Sequence, residues 1–213
     1  MIRKNNALIQ FYNNSYNFIF KKLNHIEIDK NESKNLVKKN IKFLKNSTGL
    51  QTVWLLNLKR LYDLAKKNLD TKNYHFLDVG CGNGITLIYA YKRLVFKTYS
   101  GFDFVSNYVD ISKKNISNSI KKKGRGLRRL NSHITIFNAN AAEYILQNKS
   151  YFIFMFNPFD GFIMKKFIKN NYKNLVKNKS VIAYSNYNQL NVIKNFTKNI
   201  QIIDKFKLAI CYF

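Results

Sequence analysis

Near the middle of the chain lies the stretch Asp78-Val79-Gly80-Cys81-Gly82-Asn83-Gly84. An apolar run precedes it at residues 74–77, and another follows it at residues 85–90. This order predicts a strand, a glycine-rich turn and a helix. Glycines adopt backbone conformations that other residues avoid, and they let a ligand approach the main chain. Because the first N–H groups of a helix are unpaired and favour anionic groups, we expect a nucleotide-like cofactor at this turn.

The spacing of the glycines separates the known kinds of nucleotide site. A dinucleotide turn has the pattern G-x-G-x-x-G, whereas here the third glycine, Gly84, comes one residue early and Ile85 follows it. An acid two positions before the first glycine, Asp78, also departs from that pattern. A P-loop requires Lys after its last glycine, and none follows Gly84. A turn without any ligand is the remaining alternative, but three glycines carry an entropic cost unless something requires them.

Length and composition indicate one globular domain with a short extension. The chain has 213 residues, 46% of them hydrophobic, and only two cysteines, Cys81 and Cys211. That number argues against a disulfide framework and fits a reducing compartment. No apolar run approaches the roughly 18–20 residues that would span a membrane, and Asn residues interrupt the N-terminal apolar positions of any signal peptide. We therefore expect a cytoplasmic protein. The three histidines and two cysteines form no metal-ligand pattern, so we predict no metal.

The net charge of +26 has two interpretations. Lys and Arg neutralise phosphates, so the charge suits an anionic macromolecule such as a nucleic acid. The basic residues are nearly all Lys, however, and the chain is rich in Asn, Ile, Phe and Tyr, which A/T-rich codons encode. An A/T-rich genome would therefore produce this charge without any anionic partner. The densest basic run is Lys121-Lys122-Lys123-Gly124-Arg125-Gly126-Leu127-Arg128-Arg129, here called the basic loop (residues 121–129). It is predicted to contact a large anionic partner or to be a solvated loop.

Strands and helices alternate through most of the chain. Predicted strands cover residues 74–79, 99–102, 134–138, 151–156 and 181–185, and predicted helices cover residues 84–94, 106–122, 141–147, 162–177 and 189–199. A helix over residues 50–68, capped by Ser47 or Thr48, precedes them, and two short strands, 200–203 and 207–213, close the chain. Alternation of this kind predicts a parallel sheet covered on both faces. Residues 1–46 form a basic extension with one or two amphipathic helices.

The pattern Asp-x-Gly-x-Gly-x-Gly closely resembles motif I of the class I S-adenosylmethionine (SAM) methyltransferases, and the resemblance covers residues 47–213. It implies an α/β fold: a Rossmann-like, seven-stranded, mostly parallel sheet with helices on both faces and a C-terminal antiparallel hairpin. It also implies SAM as the cofactor. In that family the acid and the glycine turn hold the methionine part of SAM, which here would involve Asp78, Gly80, Cys81, Gly82 and Gly84.

The few acidic residues are informative because the chain has only 11 of them. Ligands of such sheets bind beyond the carboxyl ends of the strands, where Asp78, Asp103, Glu143 and Asp160 are predicted to lie. The resemblance implies that Asp103 accepts hydrogen bonds from the ribose hydroxyls and that Phe104 packs on the adenine. The family often has an Asp after the third strand, and the matching residues here are Asn140 and Ala141. Glu143 is expected in the first turn of the following helix.

The only proline of the chain follows its most apolar predicted strand, in Asn157-Pro158-Phe159-Asp160. This sequence resembles motif IV of the amino-methylating branch, [DNS]-P-P-[YFW], with one proline missing. The resemblance implies that Asn157 accepts the hydrogens of an NH2 group and that Phe159 stacks on a planar acceptor. Asp160 is a candidate base or a helix cap. The alternative is that Asn157 and Pro158 only turn the chain.

The leading hypothesis is therefore a SAM-dependent methyltransferase that acts on a nitrogen of a protein or nucleic acid. One alternative is a methyltransferase for a small-molecule or glycan hydroxyl, and another is a non-catalytic SAM-binding or nucleic-acid-binding protein. Residues 47–51 are a candidate lid over the cofactor, and residues 184–189 a candidate wall of the acceptor pocket. The sequence leaves the acceptor and the oligomeric state open.

Overall fold

The computed structural model describes residues 2–26, 53–121 and 134–213. Within them, seven strands form one sheet: β1 (His75–Val79), β2 (Thr98–Asp103), β3 (Ile134–Asn138), β4 (Tyr151–Phe156), β5 (Val181–Ser185), β6 (Ile200–Ile203) and β7 (Leu208–Tyr212). Their order is β3-β2-β1-β4-β5-β7-β6. Strands β1 to β5 pair in parallel, whereas β7 runs antiparallel to both β5 and β6. The predicted Rossmann-like sheet and its C-terminal antiparallel hairpin are confirmed.

Helices cover both faces of the sheet. The described helices are α1 (Ile2–Leu23), α2 (Leu55–Ala65), α3 (Ile85–Arg93), α4 (Ser106–Lys121), α5 (Gly161–Lys177) and α6 (Leu190–Ile193). One apolar cluster joins the sheet to α2 and α3 through residues such as Phe76, Leu58 and Leu87. A second cluster, with Ile153 and Phe167, joins the opposite face to α5. Strands β1, β4 and β5 are buried on both faces, so their apolar residues do not alternate with exposed polar ones.

The helix predicted over residues 141–147 is absent, which corrects the prediction. Residues 141–143 form one turn, and the chain then continues without regular structure to β4. Side chains of α5 bind the main chain of this segment. Asn171 accepts a hydrogen bond from Leu146 N (2.6 Å) and donates one to Tyr144 O (2.8 Å), while Asn174 donates to Leu146 O (2.7 Å). The segment thus obtains from α5 the hydrogen bonds that a helix would have supplied internally.

Two other predicted helices are shorter in the structure. Helix α6 ends at Ile193 rather than near residue 199, because the following residues pair with β7. Thr197 Oγ1 donates to Tyr212 O at 2.6 Å, and Tyr212 N donates to Asn199 O at 3.0 Å. Helix α2 begins at Leu55 instead of residue 50. The predicted caps Ser47 and Thr48 lie outside the described residues, as do the candidate lid at 47–51 and all of the basic loop beyond Lys121.

Helix α1 occupies the first part of the predicted N-terminal extension, and residues 27–46 of that extension lie outside the described residues. Asn17 connects α1 to the start of α2: its amide donates to Val53 O (2.6 Å) and its oxygen accepts from Leu55 N (3.1 Å). The division into residues 1–46 and 47–213 stays a prediction. Among the described helices, none has the length and apolar content required to cross a bilayer.

Candidate functional site

The glycine turn between β1 and α3 has the geometry that only glycine adopts easily. Gly80, Gly82 and Gly84 have φ values of +75°, +52° and +77°, in the left-handed region that is costly for residues with a Cβ. The turn is anchored on β2, because the N–H groups of Gly80 and Cys81 both donate to Phe102 O at 3.0 Å. Positive φ values at these three alternate positions account for the spacing of the motif.

The same turn contacts the Asn-Pro-Phe turn that follows β4. A Cβ placed on Gly80 would lie 2.7 Å from Cβ of Pro158, a separation that real Cβ atoms do not tolerate. Strands β1 and β4 are hydrogen-bonded neighbours, with Val79 opposite Met155, so their carboxyl ends lie side by side. The structure therefore brings together the two motifs that the sequence predicted for cofactor and acceptor.

Asp78 is the buried acid of this edge. Its side chain is 3% exposed, and its Oδ2 atom has no hydrogen-bond partner among the residues that the structure describes. Burial, followed by the proximity of Asp103, raises the pKa of Asp78 to about 8. Gly101 lies directly opposite on β2, and a Cβ there would lie 3.4 Å from that of Asp78. A buried carboxyl oxygen without a partner is rare, and here it marks a position where a ligand could donate.

Asp103 ends β2 and supports the glycine turn. Its Oδ2 atom accepts from Gly82 N, and its Oδ1 atom accepts from Val105 N, both at 3.0 Å. Burial raises the pKa of Asp103, although the hydrogen bonds from the backbone oppose the effect. Each carboxylate oxygen can accept a second hydrogen bond, so Asp103 keeps the capacity to bind a diol while it holds the turn.

Two polar residues of α4 that sequence reasoning missed also hold the turn. Ser112 Oγ donates to Gly82 O at 2.7 Å, and Asn115 Nδ2 donates to Asn83 O at 3.0 Å. Both side chains are fully buried. Their spacing of three residues on one face of a helix was the available signal, since polar residues on an otherwise buried face need partners. Gly84 leaves room for Ser112, whose Oγ would lie 2.9 Å from a Cβ at that position.

The end of β3 lies beside Asp103. Asn138 Nδ2 and Ala139 N both donate to Asp103 O, at 2.8 and 3.1 Å. The side chain of Asn140 organises its own turn: its oxygen accepts from Ala142 N (3.0 Å) and its amide donates to Glu143 Oε1 (3.1 Å). Glu143 therefore does not lie in a helix, contrary to the expectation. Ala141 is buried in the cluster beneath α5, and the second lone pair of Asn140 Oδ1 stays available to a ligand.

Asn157 is buried and strained at the end of β4. It has a φ of +42°, in a region that Asn adopts more readily than most residues, and its side chain is 3% exposed. Tyr184 of β5 donates from its hydroxyl to Asn157 Oδ1 at 3.0 Å and accepts from Gln189 N at 3.2 Å. Burial raises the pKa of Tyr184 to about 12, so the hydroxyl stays protonated. Tyr184 belongs to the segment 184–189 that was predicted to form a wall of the acceptor pocket, but its hydrogen bond to Asn157 was not predicted from the sequence.

Of the remaining candidate residues, some pack in the core or cap a helix, and others lie at the edge of the candidate site. Phe159 is 7% exposed and belongs to the apolar cluster beneath α5. Asp160 caps α5, because its Oδ1 atom accepts from Ile163 N at 3.0 Å; the structure thus shows the cap and leaves the role of base as a prediction. Phe104 is half-buried just beyond β2. Cys81 is buried, and that burial, with the two nearby acids, raises the pKa of its thiol.

Comparison with known proteins extends the fold assignment. No family model and no curated protein sequence matches the chain. Among solved structures, a precorrin-6y C5,15-methyltransferase from Geobacter metallireducens GS-15 is similar, with a TM-score of 0.53, 13% identity and coverage of 79% of this chain and 92% of that chain. A protein of the NADB-Rossmann superfamily from Streptococcus agalactiae is also similar, with a TM-score of 0.51 and 16% identity. The match covers 78% of this chain and 69% of that chain. At such low identity the likeness concerns the fold alone. The chain therefore shares a Rossmann-like fold with these two proteins, one of which is a methyltransferase.

Proposed function

We propose that this chain is a SAM-dependent methyltransferase whose acceptor is a nitrogen of a protein or nucleic acid. The observation that carries the proposal is the buried Oδ2 atom of Asp78, which has no partner in the described residues and lies beside a turn of three left-handed glycines. The candidate site is lined by backbone atoms of Gly80 and Gly101 and by the carboxyl oxygens of Asp78 and Asp103. These acceptor oxygens fit the ammonium, sulfonium and ribose groups of SAM better than they fit a phosphate, whose oxygens are themselves acceptors.

In this proposal the residues of the chain bind and orient, and the cofactor supplies an electrophilic methyl group. Asp78 accepts hydrogen bonds from the ammonium group of the methionine moiety, Asp103 accepts from the ribose hydroxyls, and Asn140 Oδ1 accepts from the adenine amino group. Phe104 covers one face of the adenine. Such groups act by positioning, which is the main contribution a protein makes to a direct displacement.

Asn157 orients the acceptor nitrogen. An amide oxygen can accept two hydrogen bonds; Tyr184 donates one of them to Asn157 Oδ1, and a hydrogen of the acceptor NH2 group supplies the other. Pro158 holds this oxygen near the glycine turn through its contact with Gly80. Phe159, which is buried in the core, forms a wall of the acceptor pocket. Asp160 caps α5 and so holds the start of that helix beside Phe159.

Transfer of a labelled methyl group tests the activity. A cell lysate is incubated with the protein and methyl-labelled SAM, then separated into protein, RNA, DNA and small molecules. We expect label in a macromolecular fraction with the wild type and its loss with Asn157→Ala, while SAM affinity is nearly unchanged. Asn73→Ala, at an exposed position next to the amino end of β1, is the matched control. Label in the small-molecule fraction favours the alternative acceptor class, and undiminished transfer by Asn157→Ala contradicts the role given to Asn157.

A further inference from the structure

The N-terminal helix α1 turns a mainly polar face towards the domain and an apolar face towards solvent. The side chains that face the domain include Asn13, Asn17, Phe20 and Asn24, which are between 0% and 9% exposed. They follow one another at intervals of three or four residues and so form one stripe of the helix. Three of these four side chains are Asn, so the stripe that contacts the rest of the protein consists mainly of amide side chains.

The amides of this inner stripe are used in specific hydrogen bonds. Asn17 joins α1 to Val53 and Leu55, as described above. Asn13 accepts from Arg60 Nη1 at 3.4 Å, and Asn24 accepts from Lys92 Nζ. Polar contacts of this kind define how α1 is rotated about its axis, because another rotation would leave the amides buried without partners. The orientation of α1 is thus specified by the sequence.

The opposite stripe of α1 is apolar and faces solvent. Its members are 55–71% exposed: Leu8, Phe11, Tyr12, Phe18, Ile19 and Leu23. Leu8, Phe11 and Tyr12 lie within about one turn, and Phe18, Ile19 and Leu23 continue on the same side of the helix beyond Ser15, so the two groups share one face. An apolar face of this size on the outside of a protein marks an interaction site. Helix α1 has 22 residues, which corresponds to a length of about 33 Å.

The charges of α1 indicate the chemistry of the partner. The helix contains basic residues near both ends (Arg3, Lys4, Lys21 and Lys22) and no acidic residue. Lys22 lies on the apolar side, with Nζ 5.8 Å from the centroid of the Phe18 ring. A second copy of α1 would bring like charges together on a chain of net charge +26, without any acid in the helix to pair with them. A nucleic acid would match the charge but not the six large apolar side chains.

We propose that α1 lies in the surface of an anionic membrane, with its apolar stripe among the lipid chains and its basic residues among the head groups. A helix that has an apolar face rich in Phe and Leu, Lys22 on that side and no acidic residue has the character of interfacial helices, which enter the bilayer by about 5–10 Å without crossing it. Anionic lipids attract the basic residues. The proposal is independent of the cofactor site and stands whether or not the chain is a methyltransferase.

Flotation with lipid vesicles tests this inference. The full-length protein is mixed at physiological salt with vesicles of phosphatidylcholine alone or of phosphatidylcholine with phosphatidylserine. We expect the wild type to float with the anionic vesicles and to stay unbound with the neutral ones. In Phe11→Ser/Phe18→Ser, two exposed side chains are changed, so the fold is preserved and we expect vesicle affinity to fall at least tenfold.

The control removes two exposed apolar side chains elsewhere. Val95→Ser/Ile145→Ser changes residues that are 55% and 58% exposed and lie outside α1, and we expect it to float like the wild type. Equal flotation of the α1 variant and the wild type would overturn the proposal, as would equal loss in the control. Sedimentation of the free protein gives a third readout: a dimer that Phe11→Ser/Phe18→Ser dissociates would assign the face to a second copy instead.

Discussion

At the scale of single residues, the account depends on a buried acid that has no partner among the described residues. Asp78 lies beneath the glycine turn, and its burial raises its pKa to about 8, so it is largely protonated in the free protein at neutral pH. A cationic ligand would reverse that preference, because a nearby positive charge favours the ionised carboxylate. We therefore expect SAM to bind with release of a proton below about pH 8, visible as a binding enthalpy that depends on the buffer.

The same acid makes the stability of the free protein depend on pH. Between the ordinary aspartate pKa of 3.8 and the raised value of about 8, the folded state holds a proton on Asp78 that the unfolded state releases. The free energy of unfolding therefore falls as the pH rises through this range. Asp78→Asn removes the effect, so we expect it to be more stable than the wild type at pH 8, by about 2 kcal/mol or more, and to differ little near pH 4. Urea denaturation at the two pH values measures this; a wild type that is more stable at pH 8 than Asp78→Asn would contradict it.

Tyr184 provides a second prediction at this scale. Tyr184→Phe removes the donor to Asn157 Oδ1 and the acceptor for Gln189 N. We expect methyl transfer to slow about ten- to a hundredfold, since small misplacements of an orienting group have effects of this size. The affinity for S-adenosylhomocysteine should stay within a factor of about two, because Tyr184 lies on the acceptor side. Calorimetry and the labelled-transfer assay together make the comparison. A loss of cofactor affinity equal to the loss of turnover would instead indicate a structural role.

At the scale of elements, the strands were the most predictable features. The bounds predicted for β3, β4, β5 and β6 agree with the structure. Strands β4 and β5 are apolar runs buried on both faces, and the partly exposed strands β3 and β6 are rich in Ile, a residue that favours strands. Helix ends were less predictable, since long-range hydrogen bonds decide them. The segment at residues 141–147 has helical spacing, but Asn171 and Asn174, about 25–30 residues later, bind its main chain. No local pattern contains that information.

The residues of the candidate site, like the helices and strands, were predictable only where a local pattern identifies them. The motif identified Asp78, the glycines and Asp103, and the structure places them at one edge of the sheet. The sequence could not identify Ser112 or Asn115, nor the hydrogen bond from Tyr184 to Asn157, because these arise from contacts across the fold. The stacking role of Phe159 stays a prediction, and the structure shows its ring largely buried in the apolar cluster beneath α5.

The amide contacts between α5 and residues 144–146 can be tested as a unit. Asn171→Leu leaves Leu146 N and Tyr144 O without their partners. Buried backbone groups that lose their hydrogen bonds destabilise a protein by about 1–3 kcal/mol each, so we expect a loss of about 2–4 kcal/mol in urea denaturation. Asn170→Ala, which removes a single bond from an exposed residue to Ala142 O, should cost less than about 1 kcal/mol. Equal effects of the two substitutions would show that the contacts of Asn171 carry no special weight.

At the scale of the whole molecule, the positive charge is nearly unopposed. Net charge is +26, and the described residues contain one ion pair, Lys59 with Asp63. Self-repulsion of this kind destabilises the compact state and is screened by salt. We expect the melting temperature to rise by several degrees between low and physiological salt. Differential scanning calorimetry in sodium chloride measures the change, and a melting temperature that falls with salt would contradict the expectation.

The two proposals concern separate surfaces of the molecule. The carboxyl edge of the sheet carries the proposed cofactor and acceptor residues, whereas α1 presents an apolar and basic face outside the sheet. Loss of vesicle binding should leave cofactor affinity unchanged, and loss of cofactor affinity should leave vesicle binding unchanged. The two proposals can therefore fail separately.

Isothermal titration calorimetry shows whether SAM binds at the turn between β1 and α3. We predict that SAM and S-adenosylhomocysteine each bind the wild type with one site per chain, and that Asp78→Ala lowers the affinity for SAM at least tenfold. Asp63→Ala, which removes an exposed acid from a surface ion pair, should bind like the wild type. Absence of binding of either ligand to the folded wild-type protein would contradict the account.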